Sequence, residues 1–195
     1  MNFRIILIFC LFLPLIASCS TTSMEGKAKQ KTITMETTLG KMVLELYDDK
    51  APLTCENFRR YVRDGFYDGL VFHRVIPGFV IQGGGFEPGM KMRAPKYSPI
   101  KNEAANGLKN NRYTLSMART SNINSATSQF FVNLKHNASL DHVDNSGRGF
   151  GYAVFGKVIE GMEVVDKIAA VPTTMMKGFS DVPRQDMVII KAYEN

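Results

Sequence analysis

The stretch VFHRVIPGFVIQGGGF, Val71 to Phe86, sets Arg74 and Gln82 among phenylalanines and three consecutive glycines in an otherwise apolar run. A guanidinium stays charged at every accessible pH and presents its donors in a rigid plane. Held over an apolar pocket, it is a fixed donor for an amide nitrogen or a carbonyl oxygen; on an edge strand, it is a surface charge. Other reactive groups are few. Cys55 lies in the helical pattern PLTCENFRRYV with no histidine near it in sequence, which points to a buried helix residue rather than a nucleophile. His73, His136 and His142 contain no pair at ligand spacing, so no metal site is expected. The glycines Gly83 to Gly85 are followed by neither a helix nor a Lys-Ser/Thr pair, which excludes a phosphate cradle and leaves close backbone packing or a bend.

At 195 residues the chain suits one domain with a substantial core. Hydrophobic residues at 45% and charged residues at 22% exclude a disordered chain. The net charge of +6 is spread along the sequence without Lys/Arg runs, so no nucleic-acid partner is expected. The amino terminus, MNFRIILIFCLFLPLIASC, joins a basic start to an apolar run from Ile5 to Ala17, too short to span a bilayer and suited to a signal peptide. Ile16-Ala17-Ser18-Cys19 resembles a bacterial lipobox, which implies residues 1–18 as a lipoprotein signal peptide and Cys19 as the lipidated residue. Residues 19–30 then read as a flexible tether and 31–195 as the folded domain. The expected location is the periplasm, lipid-anchored at the outer membrane of a Gram-negative bacterium. With Cys10 removed and Cys19 lipidated, Cys55 has no intrachain disulfide partner.

From Lys31 the periodicity is mostly that of strands. KTITMETTLGKMVLELY alternates around a turn at Thr38 to Lys41, as a hairpin does. Pro52 opens a helix whose apolar face uses Leu53, Phe58, Tyr61 and Val62 and which runs to Gly65. Strands are predicted at LVFHRVI, FVIQG, YTLSMA, QFFVNL, GYAVFGKVI and MVIIKAYE, with a second helix at MEVVDKIAAV that stops at Pro172. Eight strands and two helices without βα alternation predict a mainly β fold: an eight-stranded antiparallel closed β-barrel capped by two α-helices. The segment from Gly83 to Arg112 is too long for a plain connector, which suggests function.

The motifs FHRVIPGFVIQGG, IKNEAANGLKNNRYTLSMART, SATSQFFVN and GYAVFGKVIEGMEVVDKI resemble the signatures of cyclophilins, in particular the bacterial periplasmic branch, over nearly all of residues 31–195. The resemblance implies an eight-stranded barrel with two helices and peptidyl-prolyl cis–trans isomerase activity with no cofactor. It implies Arg74 as the catalytic arginine and Phe79, Met117, Phe131 and Leu140 as the proline pocket. Gln82 and Gln129 match positions that orient the substrate backbone, Ala118 and Arg119 match the segment that pairs with an extended peptide, and Tyr152 stands where many members have histidine. The implied partners are proline-containing unfolded or extended polypeptides, with a membrane contact through the N-terminal lipid, and a monomer is expected.

An X–Pro bond resists rotation because the nitrogen lone pair is delocalised into the carbonyl, with a barrier of about 18–20 kcal/mol. A donor that localises the lone pair lowers that barrier, and no nucleophile, metal or acid–base pair is required. Strand alternation in SQFFVN puts Gln129 and Phe131 on one face and Phe130 in the core. The alternative reading is a non-enzymatic proline-peptide-binding chaperone module. A barrel carrying a small ligand is disfavoured, since Phe72, Phe130 and Phe155 fill the interior.

Ser139 departs from the family pattern, which has Trp, or Phe in bacterial members, at that position. Family members bind the cyclic peptide cyclosporin in this groove, and those with Trp have an indole that supplies contact area and an N–H donor. Losing most of a side chain that buries 150–250 Å² costs on the order of 2–4 kcal/mol. That is roughly one and a half to three orders of magnitude in affinity. Wild-type protein is expected to resist cyclosporin and Ser139→Trp to be inhibited more tightly, in parallel inhibition titrations. Potent inhibition of the wild type, or no tightening in the variant, rules this out.

Overall fold

The computed structural model describes residues 32–195 together with Met1. The first elements are the predicted hairpin, β1 (Ile33–Thr37) and β2 (Gly40–Leu46), paired from Ile33↔Leu44 to Thr37↔Gly40. Helix α1 (Pro52–Arg63) opens on proline, where the missing N–H belongs to no intrahelical bond. Its next donors, the N–H groups of Leu53 and Thr54, bond the Glu103 carboxylate at 3.2 and 2.8 Å, a cap supplied from fifty residues away. Cys55, Phe58, Tyr61 and Val62 form its buried stripe. Leu53, expected on that stripe, is 52% exposed, because it sits in the first turn on the solvent side.

There follow β3 (Arg74–Ile76), β4 (Val80–Gly83), β5 (Phe86–Glu87), β6 (Lys91–Met92), β7 (Thr114–Met117), β8 (Phe130–Asn133) and β9 (Val154–Glu160). The chain ends with α2 (Met162–Ala169), β10 (Thr173–Met176), β11 (Phe179–Pro183) and β12 (Ile189–Glu194). Eight strands make one antiparallel sheet in the order β12-β1-β2-β9-β7-β8-β4-β3. The mainly β fold of eight antiparallel strands and two helices is as expected, and the sheet forms a curled half-barrel in which the edge strands β3 and β12 are not joined by an unbroken ladder. Ile189, the first residue of β12, and Met187 just before it bond instead to the segment before β3, with Gly69 N–H on Ile189 O at 2.8 Å, Ile189 N–H on Leu70 O at 2.7 Å and Phe72 N–H on Met187 O at 2.9 Å. The predicted strand LVFHRVI is therefore regular only from Arg74. The hairpins β5–β6 and β10–β11 are additions that the short, irregular alternation there did not reveal.

Inside the curl Phe58 of α1 meets Tyr67 at 5.1 Å, Phe130 at 5.3 Å and Phe155 at 5.1 Å between ring centroids. Phe72, Phe130 and Phe155 are fully buried, so side chains occupy the interior. Close packing also explains the triple glycine. A Cβ on Gly84 would come within 2.7 Å of Ser128 O and one on Gly85 within 2.6 Å of the Gln129 side chain.

Candidate active site

The site is built on the outer face of β3, β4 and β8. Their register sets Arg74 opposite Gln82 and Gln82 opposite Phe131, so three strands present these side chains in one row. The intervening Val75, Ile81, Phe130 and Val132 point inward and are fully buried. Gln82 donates from Nε2 to Gln129 Oε1 at 3.0 Å, and Ala118 N–H bonds Gln129 O at 2.9 Å. These two bonds join the row to the end of β7.

Next to the row is a cavity of about 300 Å³. Its apolar walls are Phe79, Val80, Phe131, Leu140 and Tyr152, and its rim carries Arg74, Gln82, Ala118 and Arg119. Phe131 and Tyr152 meet edge to face at 5.7 Å. The Arg119 guanidinium lies over the Tyr152 ring at 4.7 Å and donates to Gly151 O, Thr120 O and Gly147 O at 3.0, 2.9 and 3.2 Å. Arg119 thereby clamps the wall, while the Arg74 side chain stays 40% exposed. A second cavity of about 180 Å³ shares Gln82, Ala118 and Arg119 and extends to Thr120, Ser125, Thr127 and Gln129. It is polar, and the residues beyond the shared rim were not foreseen apart from Gln129.

Met117 does not join the groove. It is 2% exposed within the core cluster and lines a separate small cavity with Ala126 and Ala153. The reason is strand alternation: on β7 Ser116 pairs with the outward Phe131, so Met117, paired with the inward Phe130, faces the interior. The side chain missed in its place is Val80, which shares the outward face of β4 with Gln82; that two-residue spacing was the available signal.

Two walls, Phe79 and Leu140, come from turns and are held by buried amides. Asn137 Nδ2 donates to Phe79 O at 2.9 Å and to Asn133 Oδ1 at 2.8 Å. Asn133 Nδ2 donates to Thr114 Oγ1 at 3.0 Å, and Ser116 Oγ donates to Asn110 Oδ1 at 2.8 Å. Asn110 gives both its N–H and its Nδ2 to Asp141 Oδ1, at 2.7 and 3.0 Å, directly after Leu140. Cys55 is a buried thiol donating to Phe155 O at 3.3 Å, and burial pushes its pKa up to about 12. The groove thus sets a cationic side chain at the rim of an apolar pocket, beside two hydrogen-bonded amides.

Residues 32–194 match the family described as Cyclophilin type peptidyl-prolyl cis-trans isomerase/CLD. The chain belongs to the cyclophilin-type peptidyl-prolyl cis–trans isomerases. It is 53% identical over 161 residues to the peptidyl-prolyl cis-trans isomerase of Streptomyces antibioticus, covering 83% of this chain and 96% of that one. To peptidyl-prolyl cis-trans isomerase B of Escherichia coli it is 54% identical over 157 residues, 80% of this chain and 95% of the other. A crystal structure of a Cryptosporidium parvum cyclophilin-type isomerase, in the presence of the dipeptide Ala-Pro, matches with a TM-score of 0.71 and 27% identity, covering 84% of this chain and 98% of that one.

In this cyclophilin His73, next to Arg74, is 5% exposed, stacks on Phe86 at 4.5 Å and has a buried Nδ1 without a hydrogen-bond partner. Burial, reinforced by the Arg74 charge and opposed by a Val71 backbone contact, pushes its pKa down to about 4. The folded state therefore holds His73 neutral while the unfolded chain protonates it below about pH 6.5. This contribution is complete above pH 6.5 and is lost as pH falls toward 4, by about 3 kcal/mol in all. Urea unfolding from pH 7 to 4.5 is expected to show that decline in the wild type and a flatter profile in His73→Gln. Parallel profiles would refute the assignment. The carboxylates held below their usual range, Glu36, Asp64, Glu87 and Asp144, act at lower pH.

Proposed function

We propose that this isomerase turns X–Pro bonds through Arg74, with the proline ring held by Phe79, Val80, Phe131 and Leu140. The observation that carries the reading is the cationic rim of an apolar cavity: Arg74 stands in register with Gln82 and Phe131, facing the volume where a ring fits. Gln82 and Gln129 align the substrate carbonyls, and Tyr152, clamped by Arg119, closes the wall. Ala118 N–H is already bonded to Gln129 O, so an extended peptide meets this segment through its remaining backbone groups. In the transition state the prolyl nitrogen becomes pyramidal and basic, and a guanidinium N–H meets it there. Each tenfold in rate needs about 1.4 kcal/mol, so a charged hydrogen bond in a water-poor groove supplies decades of acceleration.

Arg74→Ala is expected to keep the fold and lose on the order of 10²–10³-fold in kcat/KM. Arg74→Lys recovers little, because a point charge cannot reproduce the planar fork. A proline tetrapeptide assay decides: near-normal turnover in folded Arg74→Ala would defeat the arginine mechanism, and absent turnover in the wild type would leave the non-enzymatic peptide-binding role as the account of the groove.

The proposed setting is the periplasmic face of an outer membrane, with clients among unfolded periplasmic or outer-membrane proteins. It rests on the N-terminal sequence, since Cys19 and the tether to residue 30 lie outside the described residues. Two or more acyl chains on Cys19 anchor stably, whereas one binds only marginally. Cys19→Ser is expected to abolish lipid attachment and Cys55→Ser to leave membrane association unchanged. Mass spectrometry of the mature N-terminus checks this, and an unacylated wild-type terminus cut elsewhere would overturn the anchor.

A further inference from the structure

The hairpin β10–β11 lies beyond the motifs that carry the family resemblance, yet it reaches Arg74. It turns through Lys177 and Gly178, both at positive φ (49° and 84°), between the pair Met176↔Phe179. The next pair is Thr174↔Val182, so Met175 alone faces both Ser180 and Asp181, a bulge with Asp181 at φ 60°. Bulges re-aim side chains, and aspartate tolerates this left-handed conformation better than most residues. The re-aimed carboxylate brings Oδ2 to 3.8 Å from Arg74 Nε, and the same oxygen accepts a hydrogen bond from Ser180 Oγ at 3.1 Å.

The hairpin is tied down on both sides of Asp181. Phe179 packs edge to face on Phe86 at 5.5 Å, Phe86 stacks on His73, and Val182 is buried with Val71, Phe86 and Met90. Lys177 Nζ donates to Gly89 O at 2.9 Å. Arg74, by contrast, is a long side chain 40% exposed, whose terminal nitrogens have no hydrogen-bond partner among the described residues. A side chain of that kind loses rotamer freedom when it engages substrate. A carboxylate on the Nε side restricts it beforehand and leaves the two terminal amino groups open to the groove.

We propose that Asp181 is a positioning residue for Arg74: its carboxylate orients the guanidinium so that the terminal N–H groups face the prolyl bond. The proposal rests on Arg74 acting on substrate. Asp181→Asn keeps a residue suited to positive φ and removes the charge; Asp181→Gly does the same without a side chain. Both are expected to lower kcat roughly three- to tenfold with KM changed less than about twofold, the scale of one rotamer-rich side chain left unordered. In ¹⁵N relaxation the order parameter of the Arg74 Nε–H is expected to fall in both variants. Arg74→Ala is assayed alongside. Loss of activity in Arg74→Ala with unchanged kcat in both Asp181 variants overturns the positioning role and leaves the arginine mechanism standing. A fall in kcat with an unchanged Nε–H order parameter also overturns it, since the loss then comes from the hairpin. Retained turnover in Arg74→Ala removes the reading beneath it.

Discussion

A β-strand repeats every two residues, and the whole site depends on that repeat being held in step across β3, β4 and β8. Arg74, Gln82 and Phe131 face outward only because Val75, Ile81 and Phe130 face inward. A slip of one residue would exchange the two sets and drive a guanidinium into the aromatic core, where an unpaired charge costs several kcal/mol. Phe58, against Tyr67, Phe130 and Phe155, makes that slip unfavourable from the other side by filling the space. Core packing and site geometry are thus two faces of one register.

Strands alone do not complete the groove, because Phe79 and Leu140 sit on connections. Backbone there would be free to wander without the chain of amides from Asn137 through Asn133 and Asn110 to Asp141. Buried polar groups are costly unless paired, so a network of this kind settles into very few arrangements. The pocket walls inherit that rigidity. Glu103, in the long segment after β6, caps α1.

The chemistry asks little of titratable groups. Rotation about a prolyl bond breaks no covalent bond, so the mechanism proposed for Arg74 needs only a permanently charged donor and a shaped apolar volume. His73 is kept neutral by burial beside Arg74 and adds no second charge to the rim at neutral pH. The Cys55 thiol stays protonated for the same physical reason.

Alternation in KTITMETTLGKMVLELY, FVIQG and SQFFVN determined the first hairpin, β4 and β8 from sequence, along with the face shared by Gln129 and Phe131 and the buried Phe130, while Gln82 was placed by the family resemblance. Pro52 and Pro172 bounded the helices because proline cannot donate. Those are local properties, carried by each residue and its immediate neighbours. Which face of β7 Met117 takes, and that Val80 rather than Met117 lines the cavity, depended on pairing with β8, a strand more than a dozen residues away. The same holds for the curl that stops short of an unbroken barrel, for the cap from Glu103 and for the approach of Asp181 to Arg74. The sequence could determine what each segment prefers; only the tertiary structure decided which distant segments meet, because those contacts arise from packing and not from any pattern along the chain.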